Sequence, residues 1–187
     1  MVEVKNNKKL INHKIIIMKS FIAPATILSL VGLIVVASLS LAAESSITAT
    51  VKVQQIALSI SDGSIDYGTL DLSGTADTTS GGVNDTQTVT NSGNVNEDFD
   101  VKGTNVSGSC SWTLASSQGS DQYYHKICTS NCDSSPTWTA LTTTYTEYAT
   151  NVAPSGTADF DFKVGVPSST SCSSQVNVNI WVQASAH

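Results

Sequence analysis

Residues 158–166 read Ala-Asp-Phe-Asp-Phe-Lys-Val-Gly-Val, and residues 176–184 read Val-Asn-Val-Asn-Ile-Trp-Val-Gln-Ala. In both stretches every second side chain is apolar, so each predicts a strand with one buried face and one wetted face. Two such strands cannot keep their apolar rows dry alone, and earlier segments must supply a second layer. The sequence therefore predicts an all-β domain with two packed layers.

The chain between residue 44 and these stretches supplies the remaining strands. Alternation runs through Ile47–Ile60 and changes phase after Gln55, which predicts a first strand shared between two layers through a bulge. Asn91-Ser92-Gly93-Asn94 predicts a hairpin. Gly74–Asn84 has no apolar period and predicts a loop. Further strands are predicted at 65–72, 86–90, 95–102, 112–114, 123–128, 137–141 and 142–151. About eight or nine strands separated by turns predict an immunoglobulin-like or jelly-roll β-sandwich.

The N-terminal region has the features of an export signal. Phe21–Ala43 contains no charged residue, two lysines precede it, and Ser40-Leu41-Ala42 has small residues where signal peptidase reads. We expect a signal helix over residues 18–43, removed after Ala42 or Ala43. The alternative is that this segment is not cleaved and serves as a membrane anchor, because 23 uncharged residues are long enough to span a bilayer. Membrane contact is expected only through this segment.

The remaining boundaries follow from the same region. Met18-Lys19-Ser20 would make an ordinary signal-peptide start, so residues 1–17 are interpreted as an untranslated or disordered extension. Residues 44–187 are expected to form a single domain, because a chain of this length can bury a real core.

The charge balance excludes one class of partner. Residues 43–187 hold 14 acidic residues against four lysines, a formal charge of −10, and the whole chain has no arginine. Such a surface repels phosphate backbones, so we expect no binding to nucleic acid. The usual bidentate clamp for phosphate or carboxylate substrates is missing too.

Four cysteines, Cys110, Cys128, Cys132 and Cys172, predict two disulfides in an exported protein. Four cysteines can form two disulfides in three different pairings. We favour Cys128 with Cys132, which would close a tight turn, and Cys110 with Cys172. A zinc site is the alternative, because His125 with Cys128 and Cys132 gives the spacing His-x2-Cys-x3-Cys.

Other candidate chemistry is weak. Asp62 and Asp66 offer oxygens near one another, as do Asp98 and Asp100, and calcium accepts such ligands. Solvated strand faces and turns explain the same residues without a metal, so no metal or cofactor is assigned. Motifs of metalloproteases, serine hydrolases and nucleotide-binding loops are absent from the sequence. We therefore expect a protein that is not an enzyme.

Trp181 is the main candidate for ligand recognition. It occupies the polar face of the last predicted strand, between Asn179 and Gln183. An exposed Trp can stack on a sugar ring or contact a partner subunit, but the more ordinary explanation is a ring covered by a neighbouring loop.

A resemblance adds a further expectation. At Tyr67–Leu72, Asn91–Val95 and the closing strand, the chain resembles small exported β proteins of unknown function from candidate-phylum bacteria. More distantly, the signal, the Gly-Thr-Leu-Asp-Leu stretch and the Asn-x-Gly turn resemble the TasA/camelysin class of biofilm-fibre subunits. That class generally lacks this cysteine set. The resemblance implies a β-sandwich that polymerises by lending a strand to its neighbour.

Two functions follow as expectations. The first is an exported structural protein at the cell surface or outside the cell, a subunit of a fibre, pilus-like filament or surface layer. Its own copies would be the partner, with Val51 and Val53 in a donated strand running from Ser45 to Ile60. The second is a module that binds cell-wall or other glycans through Trp181 and its neighbours.

Overall fold

Ten β-strands make up the regular secondary structure of residues 45–172 and 174–187, which the computed structural model describes. In chain order they are β1 Leu58–Ile60, β2 Thr75–Asp77, β3 Gln87–Asn91, β4 Glu97–Gly103, β5 Thr113–Leu114, β6 Gln122–Cys128, β7 Thr139–Ala140, β8 Thr146–Val152, β9 Thr157–Gly165 and β10 Ile180–Ala186. The expected extension and signal helix lie outside the described residues.

The described part of the protein is therefore all-β. Its ten strands are one more than the eight or nine that the sequence predicted. Contacts divide the chain into two units, Met1–Thr48 and Ala49–His187, and every strand lies in the second. No helix with the length and hydropathy needed to cross a membrane occurs in the residues that the structure describes.

The larger sheet is built around β9. Its strands follow the order β1-β3-β9-β6-β5, while β2 pairs with the end of β9 and β7 pairs with β6. Phe160, Phe162 and Val164 are buried on one face of β9, and Asp161 is only 6% exposed on the other. The Asp161 carboxylate accepts hydrogen bonds from the hydroxyls of Thr78 (2.7 Å) and Thr86 (2.8 Å). β9 is thus buried along its apolar face and at Asp161 on the other face, and this buried charge has partners.

The smaller sheet has three antiparallel strands in the order β10-β4-β8. Its middle strand, β4, alternates between buried and half-buried residues, as the sequence predicted. Phe99 and Val101 of β4 pack in one cluster with Val89 and Phe160 of the larger sheet. Full burial of a side chain of this kind stabilises a fold by about 1.5–3 kcal/mol, so this shared cluster holds the two sheets together.

The predicted hairpin at Asn91–Asn94 is wrong, because this turn carries the chain from one sheet to the other. β3 pairs with β1 and β9, whereas β4 pairs with β8 and β10. The Asn91 amide donates to the carbonyls of Val95 and Val152, both at 2.8 Å, and its oxygen accepts from Gly93 N–H at 2.8 Å. A turn rich in Asn and Gly allows either route, so its composition did not identify the partner strand.

Two stretches near the N-terminal end differ from the sequence prediction. Residues 65–72 form no strand, because Asp62 and Asp66 accept hydrogen bonds from the N–H groups two residues ahead, at 2.9 Å each, and fold the backbone into turns. The stretch predicted as a loop contains β2, which pairs with the end of β9. Of the predicted first strand, only Leu58–Ile60 is formed.

The last strand is also shorter than predicted. β10 begins at Ile180, which pairs with Gly103 at the end of β4. Gly103 is the last residue of β4. The alternating residues 176–179 therefore have no strand to pair with, and they remain irregular.

Candidate functional site

The amino-terminal segment, residues 49–57, alternates like a strand but belongs to no sheet. Val51 is 92% exposed and Val53 is 77% exposed. Ile56 in the same segment is 45% exposed. A row of exposed apolar side chains on one segment is typical of a surface that another chain covers.

Asn94 holds the second half of this segment in place. Its side-chain amide donates to Val53 O at 2.8 Å, and its side-chain oxygen accepts from Gln55 N–H at 2.9 Å. The Asn94 N–H donates to Gln55 O at 3.0 Å, and Lys52 Nζ donates to Asn94 O at 3.0 Å. The backbone around Gln55 is thus fixed by hydrogen bonds, while Val51 lies before the fixed part.

Glu97 adds a second attachment. Glu97 of β4 is fully buried. One carboxylate oxygen accepts from Ala57 N–H at 2.9 Å, and the other has no hydrogen-bond partner among the described residues. Gly93 makes room for this arrangement, because a Cβ there would collide with Glu97 Oε1 and Gln55 O. The segment is therefore held at a site that only glycine at position 93 permits.

The outer face of the smaller sheet carries Trp181, which is 55% exposed. The alternative of a ring covered by a loop is therefore wrong. Trp181 pairs in register with Lys102 of β4, whose ammonium lies 4.4 Å from the centre of the Tyr145 ring. Gln183, two residues along β10, is exposed on the same face, whereas Asn179 precedes the strand. A flat row of aromatic, cationic and amide groups results.

A cleft of about 900 Å³ opens at the inner face of the larger sheet. Val89, Phe160, Phe162 and His125 form its floor, and residues 60–72 and 174–182 form its walls. Apolar and polar side chains both line it, and Asp66 is the one charged residue among them. The walls are the two stretches that the sequence predicted as strands and that remain irregular.

His125 is the polar group at the floor of this cleft. It is 1% exposed, and the rings of Tyr67, Tyr123 and Phe162 surround it, with centroids 5.7, 6.1 and 6.4 Å away. Its Nε2 lies 3.2 Å from the Tyr67 hydroxyl, whereas its Nδ1 is buried without a hydrogen-bond partner in the described part of the chain. Burial lowers the pKa of His125 to about 4, so the imidazole is neutral at pH 7.

Tyr67 complements His125. Burial, with the charges of Asp85, Asp77 and Asp161 as smaller causes, raises the pKa of Tyr67 above its ordinary value. The phenol is therefore also uncharged at pH 7. His125 and Tyr67 thus form a neutral pair at the floor of the cleft, and a neutral pair cannot balance a ligand charge.

The weak calcium candidates have other roles. Asp62 and Asp66 accept from backbone N–H groups in the turns described above. Asp98 accepts from Thr150 Oγ1 at 2.9 Å and Asn151 N–H at 2.8 Å, and these bonds, that from Asn151 first, lower its pKa. Asp100 lies on the outer face of β4. Among the described residues, no three His, Cys, Asp or Glu side chains are grouped closely enough to hold a metal ion.

The cysteines form two disulfides, Cys110–Cys172 and Cys128–Cys132, with Cα–Cα distances of 5.5 and 5.9 Å. This is the pairing that the sequence favoured. In the zinc alternative, His125 would join Cys128 and Cys132, but both thiols are used in one disulfide. His125 and Cys128 also point to opposite faces of β6, because they are three residues apart on a strand.

Comparison with known proteins leaves the site to be interpreted from its own geometry. No protein-family model, no curated protein and no solved structure matches this chain.

Sequence reasoning missed the cleft because it needs three separated segments to meet. It considered His125 only as a metal ligand or an ordinary strand residue, and Tyr67 only as part of a short strand. One signal was present: Tyr123, His125 and Ile127 alternate with Tyr124 and Lys126, which places His125 on the apolar face.

Proposed function

We propose that this is an exported structural protein without enzymatic activity, which assembles by adding the amino-terminal segment of one copy to a sheet edge of another. The observation that carries the proposal is the exposure of Val51 (92%) and Val53 (77%) on an alternating segment that lies outside both sheets. Pairing with another copy would give these side chains an apolar neighbour, and it would give the backbone before Val53 a hydrogen-bonding partner.

The acceptor in this proposal is the outer edge of β10. β10 is the terminal strand of the smaller sheet, so the backbone groups along its outer side have no strand partner in the described chain. Residues 176–179 continue its alternation without pairing, with Val176 and Val178 half-buried and Asn177 and Asn179 exposed. An added strand would lengthen β10 toward its N-terminal side and convert this stretch into sheet.

Two supporting features concern the scaffold and its location. The cluster that β4 shares with the larger sheet supports a β-sandwich of immunoglobulin-like or jelly-roll type. The two disulfides and the signal-like residues 18–43 support a location outside the cytoplasm, secreted or at the cell surface.

Size analysis by light scattering, with electron microscopy of the same samples, tests the assembly. We expect the exported protein to form concentration-dependent assemblies, and deletion of Ser45–Val53 to leave monomers. The double variant Val51→Asp/Val53→Asp should have the same effect at full length, because it places charge on the apolar row.

The matched control is Thr48→Asp/Thr50→Asp, which adds the same charge at the positions between the apolar side chains and should still assemble. A wild-type protein that stays monomeric at every concentration and salt tested would contradict the proposal. So would equal loss of assembly in both double variants.

A second function is favoured by a separate observation, the 55% exposure of Trp181 beside Lys102. An exposed indole flanked by amide and ammonium groups can stack on a sugar ring and donate to its hydroxyls. A pull-down on insoluble cell-wall polysaccharide should retain the wild type and lose Trp181→Ala. Trp138→Ala, a change at a half-buried Trp beside Lys163, is the control. Equal retention of Trp181→Ala and wild type would remove this function.

A further inference from the structure

We propose that the outer face of the smaller sheet binds a polysaccharide whose sugars carry free amino groups. The inference rests on the second function proposed above, glycan binding at Trp181, and it names the chemical class of the glycan. An exposed indole and an opposed pair of carboxylates share this face, and together they select a cation that is carried on a sugar.

The carboxylates of Asp100 and Glu147 lie side by side on this face. In the register of β4 and β8 the two residues are directly opposite each other, Glu147 exposed and Asp100 half-buried. Like charges in this arrangement destabilise a sheet. Both ion pairs found among the described residues involve other carboxylates, so no cation of the described chain pairs with these two. A ligand cation beside them would offset their repulsion.

Lys102 does not supply that cation. It follows Asp100 by two residues on β4 and lies opposite Trp181 on β10. Its ammonium, however, lies on the β8 side of β4, 4.4 Å from the centre of the Tyr145 ring. The Trp181 indole stays 55% exposed on the β10 side. The face therefore offers an uncovered ring and two unpaired carboxylates to the same ligand.

The spacing of these groups suits one sugar unit and its neighbour. Gln183 is opposite Asp100 in the register of β10 and β4, and Trp181 is two residues from Gln183 along β10. Trp181 and Asp100 are thus diagonal neighbours, which are about 7–8 Å apart on a sheet and within reach of long side chains. A sugar stacked on the indole would hold an amino group, its own or that of the next unit, close to the carboxylates. The exposed indole face also attracts an ammonium directly.

The charge balance selects against other glycans. The outer face carries Asp98, Asp100 and Glu147 against the single cation of Lys102, and residues 43–187 have a formal charge of −10. Glycans with uronate or phosphate groups would be repelled by this charge. A neutral glycan would stack on Trp181 but would leave the opposed carboxylates unpaired. A glycan with ammonium groups gains both interactions.

Three hexamers with one β-1,4-linked backbone test the proposal: cellohexaose, chitohexaose and the glucosamine hexamer, which differ only in the group at C2. Each is titrated into the oxidised protein at pH 5.5, where glucosamine carries its proton, and calorimetry or Trp fluorescence reports binding. We expect the glucosamine hexamer to bind about tenfold more tightly than the two neutral hexamers, the order of gain that a few exposed charge contacts supply. Salt at about 0.5 M should remove this preference, because it screens exposed charges.

Variants locate the two parts of the site. Trp181→Ala should lose binding of all three hexamers. Asp100→Asn/Glu147→Gln should bind all three with the affinity that the wild type has for cellohexaose, and it should fold, because it removes a repulsion. The matched control is Asp71→Asn/Asp121→Asn, which removes the same charge at two exposed positions outside the smaller sheet and should keep the preference.

The outcomes separate this proposal from the function on which it rests. Equal affinity of the wild type for the three hexamers would overturn it and leave glycan binding at Trp181 in place. Equal loss of the preference in both double variants would also overturn it, since the preference would then follow net charge alone. Tighter binding of hexalysine than of the glucosamine hexamer would overturn it in favour of a basic protein as the partner. Binding of none of the hexamers would remove both this proposal and the second function.

Discussion

β9 and β10 come from sequences with the same alternation, yet the structure treats them differently. β9 has β3 and β2 on one side and β6 on the other, and its apolar face is buried together with Asp161 on the opposite face. β10 pairs with β4 alone and begins four residues later than the alternation does. Alternation therefore predicts which face of a segment is apolar, but the length of the available partner decides how much of it becomes a strand.

The polar face of β9 explains why this strand is central. Asp161 would exclude β9 from a buried position unless its charge found partners, and Thr78 and Thr86 supply them from the loop between β2 and β3. β10 has no comparable cover over its polar face, where Trp181 and Gln183 are exposed. The two strands thus define a core region and an accessible region of one domain.

The largest expected effect lies in the core region. Phe162 of β9 is 3% exposed and packs in the cluster that both sheets share. Phe162→Ala should lower the free energy of unfolding by about 3–5 kcal/mol, because it leaves a cavity between two covered layers. Urea denaturation measures the loss. A loss below about 1 kcal/mol would mean that β9 is not the centre of the core.

The disulfides extend the comparison to the approach of β10. Cys172 directly precedes the irregular stretch before β10, and its bridge spans 62 residues, whereas Cys128–Cys132 spans four. On the chain-entropy model, replacing Cys110 and Cys172 by Ser should lower the free energy of unfolding by about 4 kcal/mol. Replacing Cys128 and Cys132 by Ser should lower it by about 2 kcal/mol. Thermal unfolding of the two double variants measures the difference. Equal losses would show that chain entropy does not govern these bridges.

The sequence predicted most of the fold and little of the site. Strands β3, β4, β6, β8 and β9 all overlap stretches that the sequence predicted as strands, and the cysteine count predicted the disulfides. Which strands pair with one another was not predictable, because a turn such as Asn91–Asn94 can join two strands of one sheet or carry the chain to a second sheet. The cleft was not predictable either, because it depends on residues 65–72 and 176–179 failing to form strands. Those failures arise from Asx turns and from the end of β4, which are features of neighbouring segments.

Lowering the pH should reduce the free energy of unfolding, because His125 on β6 is buried in its neutral form. The pKa of His125 is about 4 in the folded protein and about 6.5 when unfolded. Between these values the unfolded chain binds a proton that the folded protein does not, so stability falls as the pH falls through this window. A difference of about two and a half pKa units between the folded and the unfolded protein corresponds to a loss of about 3 kcal/mol in the free energy of unfolding.

Urea unfolding at pH 7.5 and pH 4.5 measures this dependence, and His125→Phe is the control. The wild type should be about 2–3 kcal/mol less stable at pH 4.5, and the variant should show a smaller difference between the two pH values. An identical pH dependence in both proteins would mean that His125 is not held neutral by burial.

The smallest effect compares two valines of the same size. Val164 on β9 is 4% exposed, whereas Val178, in the stretch before β10, is half-buried and lines the cleft. Val164→Ala should cost about 2 kcal/mol, since it removes two methyl groups from a covered site. Val178→Ala should cost less than about 0.5 kcal/mol, because the site is already open to water on one side. Amide hydrogen exchange on the same samples should be fast at residues 176–179 and slow in β9. Slow exchange at 176–179 in dilute monomer would mean that this stretch is paired within one chain, and the acceptor edge proposed for assembly would then be occupied.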